Sequence, residues 1–489
     1  MTNNIVAGVK ISTLSQAGQL VVQLVTTLVL VRLLTPEDFG LYGMALVVTG
    51  LMATVRDLGT GAAVIQKQDM SDDLLASLFW SNILFGLMAM VMLLLVSPLV
   101  AAFYREPRLV PVLGVLSLVF AISGCSVVHQ SVLEKHLAFS TVCTIEFVAA
   151  AAGAVVAIAA AFLKAGIWCF VWQNLVGAIV STILFWITSN WRPVGCFNWA
   201  GLKNVWSFSL NVAGFNLVNF CTRNVDNLLI GRYLGAQSLG QYAVAYRIML
   251  MPLQLISGVV GRVMFPVYAT LQGDLRELRR MYLVVVGQIA FVAFPMALMA
   301  VMVIEPFVDF FFGPGWELLP LLVVILAPIG LIQAVSTMNG HLYRAMGRAD
   351  LQFRVGTVFT VLMITSFATG LRWGVQGVAG AYAIMSLVLF FPSMAIPLRL
   401  IELPIASLFR ELWRPALAAG ITCVLGFVCR MALPSHLPAF GKLAILLLLP
   451  MSSYVVISWV VNRQCLRLFF SQLWLRNSPI SRESADSCD

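Results

Sequence analysis

The sequence predicts an all-α polytopic membrane protein of about fourteen transmembrane helices, arranged as two pseudo-symmetric six-helix lobes plus two C-terminal helices. Three observations carry this expectation. Of 489 residues, 60% are hydrophobic and only 10% charged, and the mean hydropathy is +0.94. A chain folding in water needs far more polar surface than that. The apolar residues come in blocks of about 18–25, the length that crosses a bilayer as helix. Finally, one stretch occurs twice. Arg32 to Ala45 aligns without a gap on Arg232 to Ala245, and Arg, Leu, Gly, Tyr and Ala recur at 32/232, 34/234, 40/240, 42/242 and 45/245. A repeated half in so hydrophobic a chain suggests two bundles facing one central cavity, the architecture of a secondary transporter.

Apolar runs between charged or Gly/Pro breaks place the helices at 11–31, 39–55, 74–97, 109–128, 140–163, 166–189, 206–230, 238–265, 281–304, 317–338, 352–370, 375–398, 413–431 and 440–461. No small-residue cleavage site follows a short apolar core near the start, so the first stretch is expected to remain as a membrane helix. The repeat assigns residues 1–200 to an N-lobe of helices one to six and 201–400 to a C-lobe of helices seven to twelve. Residues 401–470 then hold helices thirteen and fourteen, and 471–489 form a polar cytoplasmic tail of disordered composition. Gly166-Ile167 and Gly374-Val375, opening the sixth and twelfth helices, echo one another. Six helices per half keep the halves parallel in topology, related by an axis along the membrane normal.

An even helix count puts both termini on one side of the membrane. That side then holds well over half of the 30 Lys and Arg, which places both termini in the cytoplasm. The same bias accounts for the net charge of +9 without nucleic acid as a partner. The loops are short, and no soluble domain is inserted. Prolines inside the apolar runs (Pro252, Pro266, Pro295, Pro328, Pro392) permit the bending that alternating access requires.

Catalytic and metal signals are poor. The nine cysteines are scattered without a CxxC pair, and four separated His make no metal cluster. There is no Gly-rich phosphate loop, GxSxG or HExxH. Asp72-Asp73 reads as a helix start rather than a metal pair. Neither an enzyme nor a cofactor is expected.

The informative residues lie in the apolar blocks. Asn216, Asn219, Arg223 and Asp226 share one face of the seventh helix, and the milder stripe Gln16, Gln19, Gln23 falls on the repeat-equivalent face of the first. A charge at the bilayer centre costs roughly 2.5–3.5 kcal/mol on insertion scales, so such residues face the protein interior and mark function by default. Arg223 and Asp226 are three apart and can pair, and a satisfied ion pair locking the helix is the plain alternative. For the glutamines that alternative is interhelical hydrogen bonding. Arg247 and Arg262 lie in the eighth helix, Arg56 ends the second, and Glu146 sits two turns into the fifth, where it could titrate or pair with an arginine. Snorkelling to headgroups is the alternative for Arg56 and Arg262. Arg105 and Arg108 read as loop structure, and Arg344 and Arg354 as positive-inside anchors. The resulting cavity holds more arginine than carboxylate. Planar, permanently charged guanidinium suits phosphate, which favours an anionic substrate over a cationic drug.

Arg32-Leu33-Leu34-Thr35-Pro36-Glu37-Asp38-Phe39-Gly40-Leu41-Tyr42 resembles a landmark of the polysaccharide transporter family, as does Asp226-Asn227-Leu228-Leu229-Ile230-Gly231-Arg232-Tyr233-Leu234-Gly235 followed by Leu239-Gly240-Gln241-Tyr242. This is the Wzx-type flippase group of the multidrug/oligosaccharidyl-lipid/polysaccharide superfamily. Phe103-Tyr104-Arg105-Glu106-Pro107 and Lys135-His136-Leu137-Ala138-Phe139 are similar to further landmarks, and the likeness is closest to the colanic-acid exporter branch. The resemblance covers helices one to twelve. It implies a two-lobed flippase of the bacterial inner membrane that moves an undecaprenyl-diphosphate-linked repeat unit to the periplasmic leaflet. Its partners would be that polyprenyl-diphosphate-linked oligosaccharide, the lipid bilayer and the polysaccharide polymerase machinery. On it, Arg223 is the first choice for the diphosphate contact, supported by Arg247, Arg56 and Arg262, while Asp226 orients Arg223 or couples to an ion. A drug/cation antiporter of the same superfamily, a peptidoglycan lipid-precursor flippase and a membrane polymerase or glycosyltransferase are the competing functions.

Overall fold

The computed structural model describes residues 2–57, 71–136, 138–194, 220, 223–251, 264, 268, 270–434 and 437–461, without the side chains of 2–14, 16, 17, 54, 55, 57, 349 and 439. Every described element is helical. In order they are α1 (Thr2–Leu33), α2 (Pro36–Asp57), α3 (Asp72–Tyr104), α4 (Leu109–Gly124), α5 (Val127–Lys135), α6 (Phe139–Phe162) and α7 (Trp168–Thr188). The helical residues 223–251 follow. Then come α8 (Leu275–Phe311), α9 (Leu319–Ala345), α10 (Ala349–Gly370), a 3₁₀ turn (Leu371–Trp373), α11 (Gly374–Leu400), α12 (Ile405–Ala432) and α13 (Ala439–Val461). Among the described residues, eight helical stretches are long and apolar enough to cross a membrane, or nine if α4 and α5 form one span. Large apolar side chains such as Leu95, Leu99, Val155, Val424 and Val460 stand exposed along these helices, as a lipid-facing surface requires.

The chain forms two compact units. The first comprises residues 1–243 with 311–317, and the second 244–310 with 318–489.

In the first unit, the α1–α2 junction is built by a capping box. The Thr35 N–H donates to Asp38 Oδ2 at 3.1 Å, and the Asp38 N–H donates back to Thr35 Oγ1 at 3.4 Å. Pro36 stands at the first helical position, where its missing N–H costs nothing. The repeat-equivalent junction turns differently. Gly235 adopts φ +82°, a left-handed conformation open to glycine, where Thr35 uses side-chain caps. Asp72 and Asp73 occupy the first turn of α3 behind the N-cap Ser71, as their reading as a helix start expects. Arg105 caps the C-terminus of α3 in the left-handed region, and Arg108 binds Glu37 and Glu106. Gly166 and Gly374, the second echo of the repeat, both take positive φ, +57° and +71°.

One predicted helix is broken. The run 109–128 divides into α4 and α5, bent by 43°. Side chains of α7 catch the carbonyls that the break exposes: Thr182 Oγ1 donates to Ile122 O at 3.3 Å and Trp186 Nε1 to Cys125 O at 2.9 Å. The opposite side of the break is a backbone contact, because a Cβ on Gly124 would meet Asn82 O of α3 at 2.8 Å. Gly124, flanked by Ser123 and Ser126, ends α4 at the bend, a Gly/Ser pairing of the kind that kinks helices; the predicted span 109–128 ran through it.

Prolines inside the helices release carbonyls, and the fold recaptures several of them. Pro98 frees Leu94 O, which accepts from Ser97 Oγ at 2.9 Å. In the second unit, Pro295 of α8 frees Phe291 O, and Tyr454 Oη of α13 donates to it at 2.6 Å. Pro397 of α11 frees Ser393 O, and Asn339 Nδ2 of α9 donates to it at 3.0 Å. Tyr282 Oη of α8 in turn donates to Asn339 Oδ1 at 2.8 Å, so one polar ladder ties three helices together. Of the two C-terminal helices, α13 is held through Tyr454 and α12 is fastened to α8 at further levels: Glu411 lies against Gly287, Met302 fills the notch at Gly426, and Arg430 pairs with Glu305.

Removing the Tyr454 hydroxyl leaves the Phe291 carbonyl without a donor in a dry environment. Tyr454→Phe is expected to destabilise by about 1–3 kcal/mol, read as a lower thermal midpoint in detergent. Tyr233→Phe, on an exposed ring, is the reference and should leave the midpoint in place.

Candidate functional site

Asn216, Asn219 and Arg262 lie outside the described residues, and so does the side chain of Gln16. The rest of the predicted stripe can be placed. Arg223 is exposed, whereas Asp226, less than one turn on, is 5% exposed. Asp226 Oδ2 accepts from Tyr242 Oη at 2.9 Å, and Oδ1 accepts from the Asn227 N–H at 2.8 Å. Among the described residues these are its hydrogen-bond donors, and Arg223 is not one of them. The expected Arg223–Asp226 pair is therefore not formed. The cause is the Gly235 turn, which folds the following helix back so that Tyr242 reaches the carboxylate. A buried hydroxyl donor satisfies Asp226 without the cost of immobilising a long guanidinium.

The other half repeats this division. Gln23, equivalent to Arg223, is exposed, while Thr26, equivalent to Asp226, is 3% exposed and donates through Oγ1 to Val22 O at 2.7 Å. Gln19 is half-buried. Each copy of the stripe thus has an outward polar position at 23 or 223 and an inward, satisfied one at 26 or 226.

The remaining candidates separate by partner. Arg247 is exposed and makes no hydrogen bond or ion pair among the described residues. Arg56 is engaged instead: its guanidinium donates to Ser123 Oγ at the end of α4, which ties α2 to the bend before α5. Glu146 is half-buried on α6 and has no ion-pair partner among the described residues. No group of three His, Cys, Asp or Glu able to hold a metal occurs among the described residues.

Sequence reasoning missed Tyr242 as the partner of Asp226. Its signal was present, since Tyr42 and Tyr242 belong to the repeat. In the first half, however, Tyr42 plays another part, accepting from Asn174 Nδ2 at 3.0 Å and stacking on Phe170 at 4.3 Å.

The profile of the family described as "Polysaccharide biosynthesis protein" matches residues 29–319. The chain belongs to this family. It is 31% identical to the teichuronic acid biosynthesis protein TuaB of Bacillus subtilis over 88% of this chain and 89% of that one. It is 28% identical to the succinoglycan biosynthesis transport protein ExoT of Rhizobium meliloti, covering 70% of this chain and 69% of that one. Its fold is similar to that of the lipid II flippase MurJ in an inward closed conformation. The TM-score is 0.71 at 15% identity, covering 92% of this chain and 98% of that one. The all-helical membrane fold expected from the sequence is thereby shared with a polytopic flippase.

Loss of the Tyr242 hydroxyl leaves a buried carboxylate one donor short. Tyr242→Phe is expected to cost about 1–3 kcal/mol of stability and Asp226→Ala at least as much, whereas Arg223→Ala should leave the thermal midpoint in detergent unchanged. An equal loss on Arg223→Ala would show that the arginine, too, supports the fold.

Proposed function

We propose that this protein is a flippase. It moves polyprenyl-diphosphate-linked oligosaccharide repeat units across the bacterial inner membrane for surface polysaccharide synthesis, by alternating access and without a chemical step. The observation that carries this reading is the separation of Arg223 from Asp226. On the fourteen-span reading, a guanidinium left exposed within the seventh helix cannot rest in hydrocarbon, so it belongs to a water-filled pathway. The nearby carboxylate is spent on Tyr242 and does not neutralise it. What remains is a positive site with the planar donors that grip a diphosphate bidentately. The family and the transport named for ExoT support the same reading.

In this proposal the chain has fourteen spans, both termini are cytoplasmic, and residues 1–200 and 201–400 form six-helix lobes with 401–470 as an appendix. The lipid tail stays in the bilayer while the headgroup crosses. Arg223 makes the first diphosphate contact, and Arg247 and Arg262 support it. Arg56, held by Ser123, positions α2 against α4. Asn216, Asn219, Gln16, Gln19 and Gln23 line the sugar path. Asp226 holds the hairpin around Gly235 in place, and Glu146 is left as the candidate for coupling to an ion. The repeat unit, once across, passes to a polymerase. A drug/cation antiporter would need an available carboxylate on this face, and Asp226 is not available.

The test is glycan analysis of a deletion strain carrying empty vector, wild type or Arg223→Ala at matched protein levels. The expected outcome is loss of surface polysaccharide on deletion, accumulation of lipid-linked repeat units on the cytoplasmic side, restoration by wild type, and little restoration by Arg223→Ala. Normal polysaccharide without the gene, together with reduced efflux of cationic dyes, would establish the antiporter.

A further inference from the structure

The two copies of the repeat meet within the first unit, and they meet reciprocally. A Cβ on Gly40 would lie 1.7 Å from Ala236 O, and a Cβ on Gly240 would lie 1.8 Å from Pro36 O. Positions 40 and 240 are equivalent, and so are 36 and 236. The contact therefore maps onto itself when the halves are exchanged, as a contact across a two-fold axis does. Backbone touches backbone here with no room for any side chain. Around this point the equivalent residues Leu30 and Ile230, and Phe39 and Leu239, are all buried.

Each hairpin is also covered by a short segment from the other half. The last turn of α3, the third helix of the first half, lies on the second hairpin: the Tyr104 ring packs on Gly231, and the Phe103 ring lies 5.5 Å from the Arg232 guanidinium carbon. The loop after α8, the third helix of the second half, lies on the first hairpin. There the Gly313 N–H donates to Val31 O at 3.2 Å, Gly315 packs on Pro36, and Trp316, 1% exposed, meets the Phe39 ring edge-on at 5.3 Å. Val31 and Gly231 are again equivalent, as are Arg32 and Arg232. The halves thus exchange covering segments over a shared glycine contact.

We propose that this layer is the outer seal of the transport pathway: α2 and the helix after Gly235 close it by their glycine contact, and the end of α3 at Phe103 and Tyr104 and the segment 311–317 clasp it. The proposal rests on the flippase reading and its orientation, in which the α1–α2 junction and both covering segments face the periplasm. A headgroup carrying a diphosphate and several sugars cannot pass through a backbone-to-backbone contact. The helices must therefore part at Gly40 and Gly240 in every transport cycle, and both clasps must release with them. Packed interfaces of this kind are two-state rather than gradually deformable, which suits a gate.

Gly43 and Leu239 provide the test. A Cβ on Gly43 would lie 3.4 Å from Leu239 Cδ2, in ordinary contact, so a cysteine at each position is tolerated and the two sulfurs fall near disulfide reach. The full chain, with its nine native cysteines replaced, is expressed in the deletion strain as Gly43→Cys/Leu239→Cys and compared with each single variant. Oxidation is expected to cross-link the pair and stop polysaccharide export, and reduction should restore it. Export that continues through the cross-linked protein overturns the proposal, and so does a pair that does not cross-link. A second readout needs no polysaccharide. Leu239→Cys, buried in the closed layer, should react slowly with a membrane-impermeant maleimide and faster once Gly40→Ala or Gly240→Ala wedges the helices apart. Unchanged labelling in both alanine variants counts against the seal. If wild type itself fails to restore export, the flippase reading fails, while the labelling still reports whether the layer opens to the outside.

Discussion

A polypeptide out of water must satisfy its own backbone, and most features of this protein follow from that demand. Helices answer it along their length, so the work is concentrated where helices start, bend or end. At Thr35 a capping box supplies the missing donors and acceptors, and at the α4–α5 break side chains of α7 reach across to do so. At Pro295 and Pro397 the donors come from other helices, through Tyr454 and Asn339. Prolines that look like simple bending points in the sequence therefore act as attachment points between helices. The C-terminal helices, outside the repeat, owe part of their anchorage to one of them.

The same demand applies to charge. A carboxylate within an apolar helix is held by the nearest donor that can reach it, and for Asp226 that donor is a tyrosine sixteen residues on, delivered by a glycine turn. Satisfying the acid in this way removes it from the charge balance of the exposed face. In the proposed function, Arg223 is then the charge that a substrate meets. One interaction thus closes a helical hairpin and leaves the Arg223 guanidinium exposed.

Repetition adds a second constraint. Two copies of a hairpin can pack on each other only through a surface that fits itself, and glycine at positions 40 and 240 makes that surface flat enough for backbone contact. The two copies solve their turns differently, with Thr35 capping one and Gly235 bending the other, yet the buried positions remain equivalent. Shape is preserved where the halves touch and chemistry is free to diverge elsewhere, as the neutral Gln23 and charged Arg223 show.

The sequence by itself determined the membrane class, the order of the helices, the repeat and the polar stripe. All of these are properties of local composition and period, which the bilayer enforces residue by residue. It also marked Gly40, Gly240, Tyr42 and Tyr242 as recurring, without saying why. Only the tertiary structure decided partners. It gave Asp226 to Tyr242 rather than to Arg223, bound Arg56 to Ser123, bent the chain between α4 and α5 at Gly124, and laid the end of α3 and the segment 311–317 each on the hairpin of the other half. Each of these depends on which helices become neighbours. That is set by packing between segments far apart in the chain, and the pattern within any one helix does not contain it.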